Sequence, residues 1–217
     1  MSTPLDVLVI EGGRGSGAAV ARALGAAGHR AHRCTSTGGD APCRGVVDIC
    51  DCPLDHGADV ALVVAGDADD RRTGVPALQS ASCARRAGVP VVELGDDPEL
   101  AAFAPYLAAR LDAGTDVVDA VEQAAAAAFA ELERAVLVMA APLMRDLGID
   151  LHAVDCTIDR QGDQLRVRLD LPEDADEATR QALAVRALAA LGGVRRHHSS
   201  VSIGVHGPRP PVAVPAG

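Results

Sequence analysis

The sequence predicts an α/β protein built from a doubly wound parallel sheet, a long helical connector and a small C-terminal ββαβ module of the α+β type. Three observations support this prediction. Short apolar runs alternate with helical segments over roughly the first hundred residues, which is typical of parallel strands joined by helices. A long helical pattern follows. Two segments of alternating apolar and polar residues then predict a hairpin with one solvent-facing side.

The sheet domain takes its strands from five short segments. They are residues 7–10, 29–34, 45–49, 59–64 and 89–94. The first helix is predicted over residues 17–27, because Gly28 is the kind of residue that ends a helix. A further helix over residues 75–87 joins the last two strands.

The connector and the module follow from the helical and alternating patterns. Pro98 suits the first turn of a helix that is predicted to end near Leu111, and Thr115 then caps a long helix. Pro142 is expected to kink or break that long helix. The hairpin arms are residues 154–159 and 165–171, followed by a helix over 174–191 and a strand over 201–205.

The predicted domain boundaries lie where these patterns change. They are residues 1–97 for the sheet domain, 98–148 for the connector, 149–207 for the module and 208–217 for a disordered tail. The long helix and the module are the segments expected to form a homodimer.

The composition excludes several kinds of chemistry. The chain has 217 residues, of which 48% are hydrophobic, so it can bury a sizeable core. It contains no lysine, so its 20 basic residues are all arginines, and Schiff-base, P-loop and tyrosine–lysine chemistry are excluded. A net charge of −10 without a basic face argues against nucleic acid as a partner.

The cellular location and the redox state of the thiols are also expected from the sequence. It shows neither a signal peptide nor an apolar run of membrane-spanning length, so a cytoplasmic protein without a membrane partner is expected. The six cysteines are scattered along the chain, and they are expected to be reduced thiols.

The strongest functional signal is the segment EGGRGSG at residues 11–17, between the first strand and the first helix. A strand that ends at glycines and restarts as a helix directs backbone N–H groups and the positive end of the helix dipole at one point, which suits a phosphate. The predicted phosphate-binding residues are Gly12, Gly13, Arg14, Gly15, Ser16 and Gly17.

Four segments between about residues 5 and 95 resemble one family of nucleotide-binding proteins. They are residues 14–29, 48–51, 60–66 and 74–94. These segments resemble NAD(P)-binding Rossmann-fold proteins, and more narrowly short-chain dehydrogenase/reductase-like proteins of the extended and NmrA-like kind. The resemblance implies that Asp48 closes the third strand and approaches the adenine. It also implies that Ala65 and Gly66 form the turn after the fourth strand.

The end of the second strand indicates which dinucleotide such a site would hold. A carboxylate there binds the ribose 2′-hydroxyl of NAD, whereas an arginine accommodates the 2′-phosphate of NADP. The sequence has Arg33-Cys34-Thr35 at this place, so Arg33 and Thr35 complete the predicted site and NADP(H) is the expected cofactor. The alternative is that this segment is an ordinary polar loop.

Two departures from the family pattern bear on function. Glu11 stands where the family has a glycine, so either the loop begins one residue later, at Gly12, or a carboxylate faces the phosphates and repels them. The catalytic tyrosine and lysine of the family have no counterpart after the fourth strand. Tyr106 precedes Arg110 by four residues, but guanidinium is a poor substitute for the lysine, and Tyr106 is expected to be a half-buried helix residue.

Two other groups of residues suggest rival chemistry. A group of cysteines and histidines suggests the hypothesis of a zinc site. The group lacks the paired CxxC spacing of structural zinc sites, so no metal ligand is predicted from it. Its members are His29, His32, Cys34, Cys43, Cys50, Cys52 and His56. The segment His197-His198-Ser199-Ser200, with Asp155 and Asp159, contains the residue types of a hydrolytic triad, but the serines lack a nucleophile elbow, and surface residues are expected.

Three functions are therefore carried forward, and whether the chain is an enzyme stays open. The first is an NADP(H)-type nucleotide-binding protein without Tyr–Lys catalysis, acting as a sensor or a subunit. The second is a structural or interaction protein that uses the Rossmann-like layer as a scaffold and dimerises through its helices and module. The third is a metal-dependent enzyme that uses the cysteine and histidine group.

Overall fold

A computed structural model describes residues 3–13, 15–35, 43–48, 51–66, 76–112, 114–161, 164–192 and 200–208. The chain divides into two compact units, and the boundary between them follows Ala128. Within the described ranges, no helix is both long and apolar enough to cross a membrane.

The first unit contains a five-stranded sheet in which every strand pairing is parallel. Its strands are β1 (Asp6–Glu11), β2 (Arg30–Arg33), β3 (Val60–Val64), β4 (Val91–Leu94) and β5 (Ala109–Leu111). Their order is β2-β1-β3-β4-β5, so the direction in which strands are added reverses between β1 and β3. This confirms the predicted α/β class with a parallel sheet. Such a reversal creates a crevice at the carboxyl ends of the two central strands.

Both faces of this sheet are covered. Helix α3 (Ala77–Arg86) packs on one face, where it meets Leu8 and Ile10 of β1. Helix α1 (Gly17–Ala26) and the first turns of α4 (Val117–Asp146) cover the other face, which includes Val7 and Val9. Because helices cover both faces of the sheet, the side chains on each face of β1 and β3 are shielded from water. This explains the continuous apolar runs at residues 7–10 of β1 and throughout β3.

The predicted strand at residues 45–49 is wrong. The structure has a short helix there, α2 (Arg44–Val47), with Val46 and Val47 largely exposed. Arg44 binds the Asp51 carboxylate through Nε at 2.8 Å and Nη2 at 2.5 Å. Among the described residues no strand pairs with this segment, so the β propensity of its two valines is not supported by a ladder. Removing the third strand from the order 3-2-1-4-5-6 leaves the order seen here.

The predicted helix over residues 98–111 is also wrong. A 3₁₀ helix runs over Pro98–Tyr106, and β5 follows it and pairs with β4. Pro105 lies inside the 3₁₀ segment and lacks the N–H that an α-helix would need, and it also disfavours the α conformation of the residue before it.

Helix α4 continues through Pro142 to Asp146, so the predicted break is wrong. A proline in a helix removes one backbone hydrogen bond. Val136, Ala140 and Met144, on both sides of this proline, are fully buried in one apolar cluster. We attribute the continuity of the helix to this packing, because tertiary contacts supply most of the stability of helices in proteins.

The second unit contains a mixed three-stranded sheet of order β6-β7-β8. Strands β6 (Asp155–Gln161) and β7 (Gln164–Asp170) form an antiparallel hairpin, and β8 (Ser200–His206) pairs parallel to β7. Helix α5 (Glu177–Ala190) begins at Asp176, whose Oδ1 accepts the Thr179 N–H at 2.7 Å. This bond lowers the pKa of the Asp176 carboxyl. One face of the sheet packs against α5 and residues of α4 from Phe129 onwards.

Candidate functional site

The carboxyl ends of β1 and β3 bring together much of the predicted binding loop. The Gly12 N–H donates to the Val64 carbonyl at 2.8 Å. The Ser16 hydroxyl lies 3.3 Å from the same carbonyl and 3.1 Å from the carbonyl of Gly13. The loop after β1 is therefore bound to the end of β3. This is the edge of the sheet where ligands bind in folds of this type.

Glycines allow the loop after β1 and the turn after β3 to pack backbone against backbone. A Cβ atom on Gly66 would overlap the backbone of Gly13. A Cβ atom on Gly12 would lie 3.0 Å from the Gly66 nitrogen and 2.7 Å from Oδ2 of Asp97. Glycine is therefore required at both positions for close packing within the chain, whereas the sequence suggested that it admits a phosphate.

The backbone N–H groups at the N-terminus of α1 donate to acceptors within the protein. The Ser16 N–H points to the Gly13 carbonyl at 3.4 Å, and the Ala18 N–H to the Gly15 carbonyl at 3.0 Å. Between them, the Gly17 N–H donates to Oε1 of Glu11 at 3.2 Å. These are the N–H groups that a helix N-terminus ordinarily offers to an anion.

The Glu11 carboxylate lies at the N-terminus of α1 and accepts a hydrogen bond there. Glu11 is the last residue of β1 and is 7% exposed, and its carboxylate is stabilised at the positive end of the helix dipole. A Cβ atom on Gly17 would lie 3.0 Å from Glu11 Cγ and 2.6 Å from Val9 Cγ1, so this glycine makes room for the carboxylate. β1 ends at Glu11, so the loop begins at Gly12, and the Glu11 carboxylate lies at the N-terminus of α1.

The other predicted binding residues have different surroundings. Arg33 places Nη2 3.9 Å from Oε1 of Glu11, on the same carboxylate. Thr35 is buried and forms an isolated bridge with Cys43. Asp48 is exposed and follows α2, so its assignment to the end of a third strand is wrong. Arg14 lies outside the described residues.

The sequence reasoning missed a second buried carboxylate at the same edge of the sheet. Glu93 of β4 is fully buried, and its Oε1 accepts the Asp97 N–H at 2.9 Å. Its Oε2 accepts from Nε of Arg110 at 2.6 Å, which ties β4 to β5. Asp97 in turn accepts the Glu99 N–H at 2.9 Å and starts the 3₁₀ helix. A charged residue inside the run Val91–Leu94 was the available signal.

Cys50 lies outside the described residues, and the described cysteines and histidines of the predicted group lie in separate places. Cys34 and Cys43 lie together, with their Sγ atoms 3.9 Å apart, and burial raises the pKa of Cys34 to about 12. The ring of His29 accepts the Leu5 N–H at 3.2 Å, and the ring of His32 lies 2.7 Å from the Asp6 carboxylate. Across the described ranges, no three His, Cys, Asp or Glu residues are arranged to hold a metal ion.

Tyr106 and Arg110 do not act as a pair. Tyr106 ends the 3₁₀ helix and its ring lies under the Arg85 guanidinium, whereas Arg110 binds Glu93. Half of the Tyr106 surface is exposed, at 50%. His197 and Ser199, from the group with triad residue types, lie outside the described residues.

The fold and the site together define an α/β parallel-sheet protein whose glycine loop is capped by its own carboxylate. No protein-family model matches the chain, and no curated protein matches it.

Proposed function

We propose that this chain is a non-catalytic structural or interaction protein in which the Rossmann-like sheet serves as a scaffold. The observation that supports this proposal most directly is the Glu11 carboxylate on the Gly17 N–H. An anion-binding helix N-terminus needs N–H groups that are free to meet the ligand. Here the N–H groups of Ser16, Gly17 and Ala18 all have acceptors in the chain.

Electrostatics supports the same conclusion. A phosphate placed about 4 Å from the buried Glu11 carboxylate would be repelled by roughly 1 kcal/mol in water and about 4 kcal/mol at the effective dielectric constant of a protein surface. Arg33 offsets only part of this repulsion, since its guanidinium already faces Glu11 at 3.9 Å. A pyrophosphate would have to displace the carboxylate before it could reach the helix.

The contacts that such a protein uses are proposed to lie on its second unit. Large apolar side chains are exposed on its helices, namely Val138 at 65%, Met139 at 40% and Val185 at 60%. Apolar surface of this kind is stabilised by burial against a partner, and symmetric pairing with a second copy is the commonest arrangement. We therefore propose a homodimer formed through α4 and α5.

NADP(H)-type nucleotide binding, in a sensor or a subunit, is the second candidate. The position of the glycine loop favours it, because the loop lies where the strand order reverses between β1 and β3. In this case Glu11 would leave Gly17 when the nucleotide enters, and Arg33, whose Nη2 lies 3.9 Å from Oε1 of Glu11, would be a cation beside the released carboxylate or a 2′-phosphate.

Thermal unfolding with and without dinucleotides separates the two candidates. If the scaffold proposal holds, adding millimolar NADP(H) or NAD(H) does not change the Tm of the wild type, and it does not change the Tm of the Glu11→Gln variant either. If a nucleotide binds, the Tm of the wild type rises with ligand concentration, since a ligand selective for the folded state stabilises it. Arg14→Glu would then abolish that rise. Glu131→Gln, at an exposed position of α4, is the control for a change of charge alone.

Sedimentation velocity tests the dimer. We expect the wild type to sediment as a dimer at micromolar concentration, and Val138→Asp or Val185→Asp to sediment as monomers. Val46→Asp is the matched control, because Val46 is 79% exposed but belongs to the first unit. A wild-type monomer at every concentration would remove the dimer from the proposal.

A further inference from the structure

Two of the three aromatic residues of this chain lie together beside a cavity. The chain has one tyrosine and two phenylalanines. Phe103 and Tyr106 form an edge-to-face pair with ring centroids 5.6 Å apart. The adjacent cavity has a volume of about 740 Å³ and is lined by Phe103 and by α3. This volume is in the range of small-molecule sites, which are typically about 300–1,000 Å³.

One face of α3 supplies the rest of the wall. Leu78, Ser82, Arg85 and Arg86 all line the cavity. Residues four, seven and eight positions apart share one face of a helix, so these side chains present an apolar group, a hydroxyl and two cations to the same space. The wall therefore combines an apolar part with a small number of polar groups, as in ligand sites.

The two arginines are held in different ways. The guanidinium carbon of Arg85 lies over the Tyr106 ring, 3.5 Å from its centroid, which is a cation–π contact. Nη2 of Arg86 lies 3.3 Å from Sγ of Cys83. Stacking on an aromatic ring leaves the N–H edge of a guanidinium free to bind an anion.

The described lining of this cavity is cationic, whereas the chain as a whole is acidic. The net charge of the protein is −10, yet the described lining residues include Arg85 and Arg86 and no carboxylate. Among the residues that the structure describes, neither arginine forms an ion pair. A cationic wall beside apolar surface is suited to an anion that carries an apolar group.

We infer that this cavity binds a planar organic anion, such as an aromatic carboxylate or sulfonate. The anionic group binds Arg85 and Arg86, with the Ser82 hydroxyl as a further donor, and the ring packs against Phe103 and Leu78. Tyr106 is a positioning residue, because it orients the Arg85 guanidinium. This site uses neither Glu11 nor the glycine loop, so it goes beyond the proposed scaffold role.

Fluorescence titration with anilinonaphthalene sulfonate tests the inference. We expect saturable binding of one probe per chain, competition by naphthoate and no competition by the uncharged naphthalenemethanol. Arg85→Gln and Arg86→Gln are each expected to weaken binding by about tenfold or more, which is the loss of one charge-assisted hydrogen bond. Arg22→Gln, an exposed arginine on α1, is the matched control and should bind as the wild type does.

Variants of Tyr106 separate positioning from general stability. Tyr106→Phe keeps an aromatic ring under Arg85 and should bind within about twofold of the wild type, whereas Tyr106→Leu should bind several-fold more weakly. Arg85→Lys keeps the charge but loses the planar stack and should also weaken binding. Equal binding by the wild type and the Arg85 and Arg86 variants, equal competition by the uncharged compound, or no binding at millimolar naphthoate would each overturn the inference. The Tm of every variant shows whether it is folded.

Discussion

The two sheets of this protein bury their residues in different patterns. In β3 of the first unit all five consecutive residues are buried, whereas burial alternates along most of β7 in the second unit. The first sheet is covered by helices on both faces, and the second is covered by α4 and α5 on one face only. Adjacent residues are therefore both buried in β3 of the first sheet, whereas along most of β7 in the second sheet one is buried and the next is exposed. Glu93 of the first sheet is fully buried, whereas Asp159 lies on the exposed face of the second sheet, whose buried charged residues are Arg160 and Asp170.

The largest expected effects come from shortening adjacent side chains in each sheet. Leu62→Ala is expected to lower the free energy of unfolding by about 3 kcal/mol, and its neighbour Val63→Ala by about 2 kcal/mol, because both are fully buried. In the second sheet, Leu165→Ala should cost about 3 kcal/mol but its neighbour Arg166→Ala less than about 0.5 kcal/mol. Urea unfolding measures the totals, and hydrogen exchange read by mass spectrometry assigns them to each sheet. A large loss in Arg166→Ala would contradict the one-sided second sheet.

The buried charge of the first sheet gives the next effect. Glu93→Ala should cost about 2–3 kcal/mol, because it leaves the Asp97 N–H and the Arg110 guanidinium without their acceptor. Glu93→Gln keeps an amide oxygen as an acceptor and should cost less. Asp159→Ala, on the exposed face of the second sheet, is the matched comparison and should change the urea midpoint very little. Equal losses in Glu93→Ala and Asp159→Ala would show that burial does not separate the two sheets.

Two glycines of helix α1 give a smaller effect, with opposite signs. Gly17→Ala should destabilise the protein by about 1–3 kcal/mol, because the new Cβ lies 2.6 Å from Val9 Cγ1 and also crowds Glu11. Gly25→Ala should stabilise it by about 0.5–1 kcal/mol, since nothing lies within 4 Å of that Cβ and alanine favours the helix. Thermal unfolding of the two variants checks both signs. A stable Gly17→Ala protein would mean that Glu11 is not packed against this helix.

The smallest difference between the units is expected for their buried thiols. Burial raises the pKa of Cys34 in the first unit and of Cys156 in the second to about 12. Both should stay protonated at pH 8 and react slowly with iodoacetamide, whereas the less buried Cys83 should react faster. Because these folded-state pKa values lie above the unfolded value, the thiols should also lower stability as pH rises through about 9 toward 12. Cys34→Ser and Cys156→Ser should reduce that alkaline loss.

The sequence predicted those parts of the fold in which burial leaves a continuous or alternating pattern. β1 and β3 are uninterrupted apolar runs, and the two hairpin arms alternate as the exposed face requires. β5 could not be found this way, since it has three residues and one of them is Arg110. The segment at Val46 carries strand-forming residues, but within the part of the chain that the structure describes it pairs with no strand and forms a short helix.

The place of the glycine loop in the fold was predictable from the sequence, whereas the direction of the Glu11 side chain was not. A strand, a glycine loop and a helix in succession placed Gly12 and Ser16 at the carboxyl edge of the sheet. The direction of the Glu11 side chain depends on packing with Val9 and Gly17, which residue types alone do not specify. The contact between Gly66 and Gly13 joins distant parts of the chain, so no local pattern reports it. The buried Glu93 became interpretable only when its partner on β5 was known.

The Gly17 N–H donates a hydrogen bond to the Glu11 carboxylate, so the group bound at the helix N-terminus is covalently part of the chain. A tethered group competes with a diffusing one at an effective concentration that reaches the millimolar range even for flexible links. Only five residues separate Glu11 from Gly17, and the carboxylate is already in contact with the helix. Under the scaffold proposal, a diffusing metabolite at a lower concentration than this competes poorly for the helix terminus. Under the scaffold proposal, the amino-acid sequence itself supplies the group at this helix terminus, and its occupancy stays constant when nucleotide levels change.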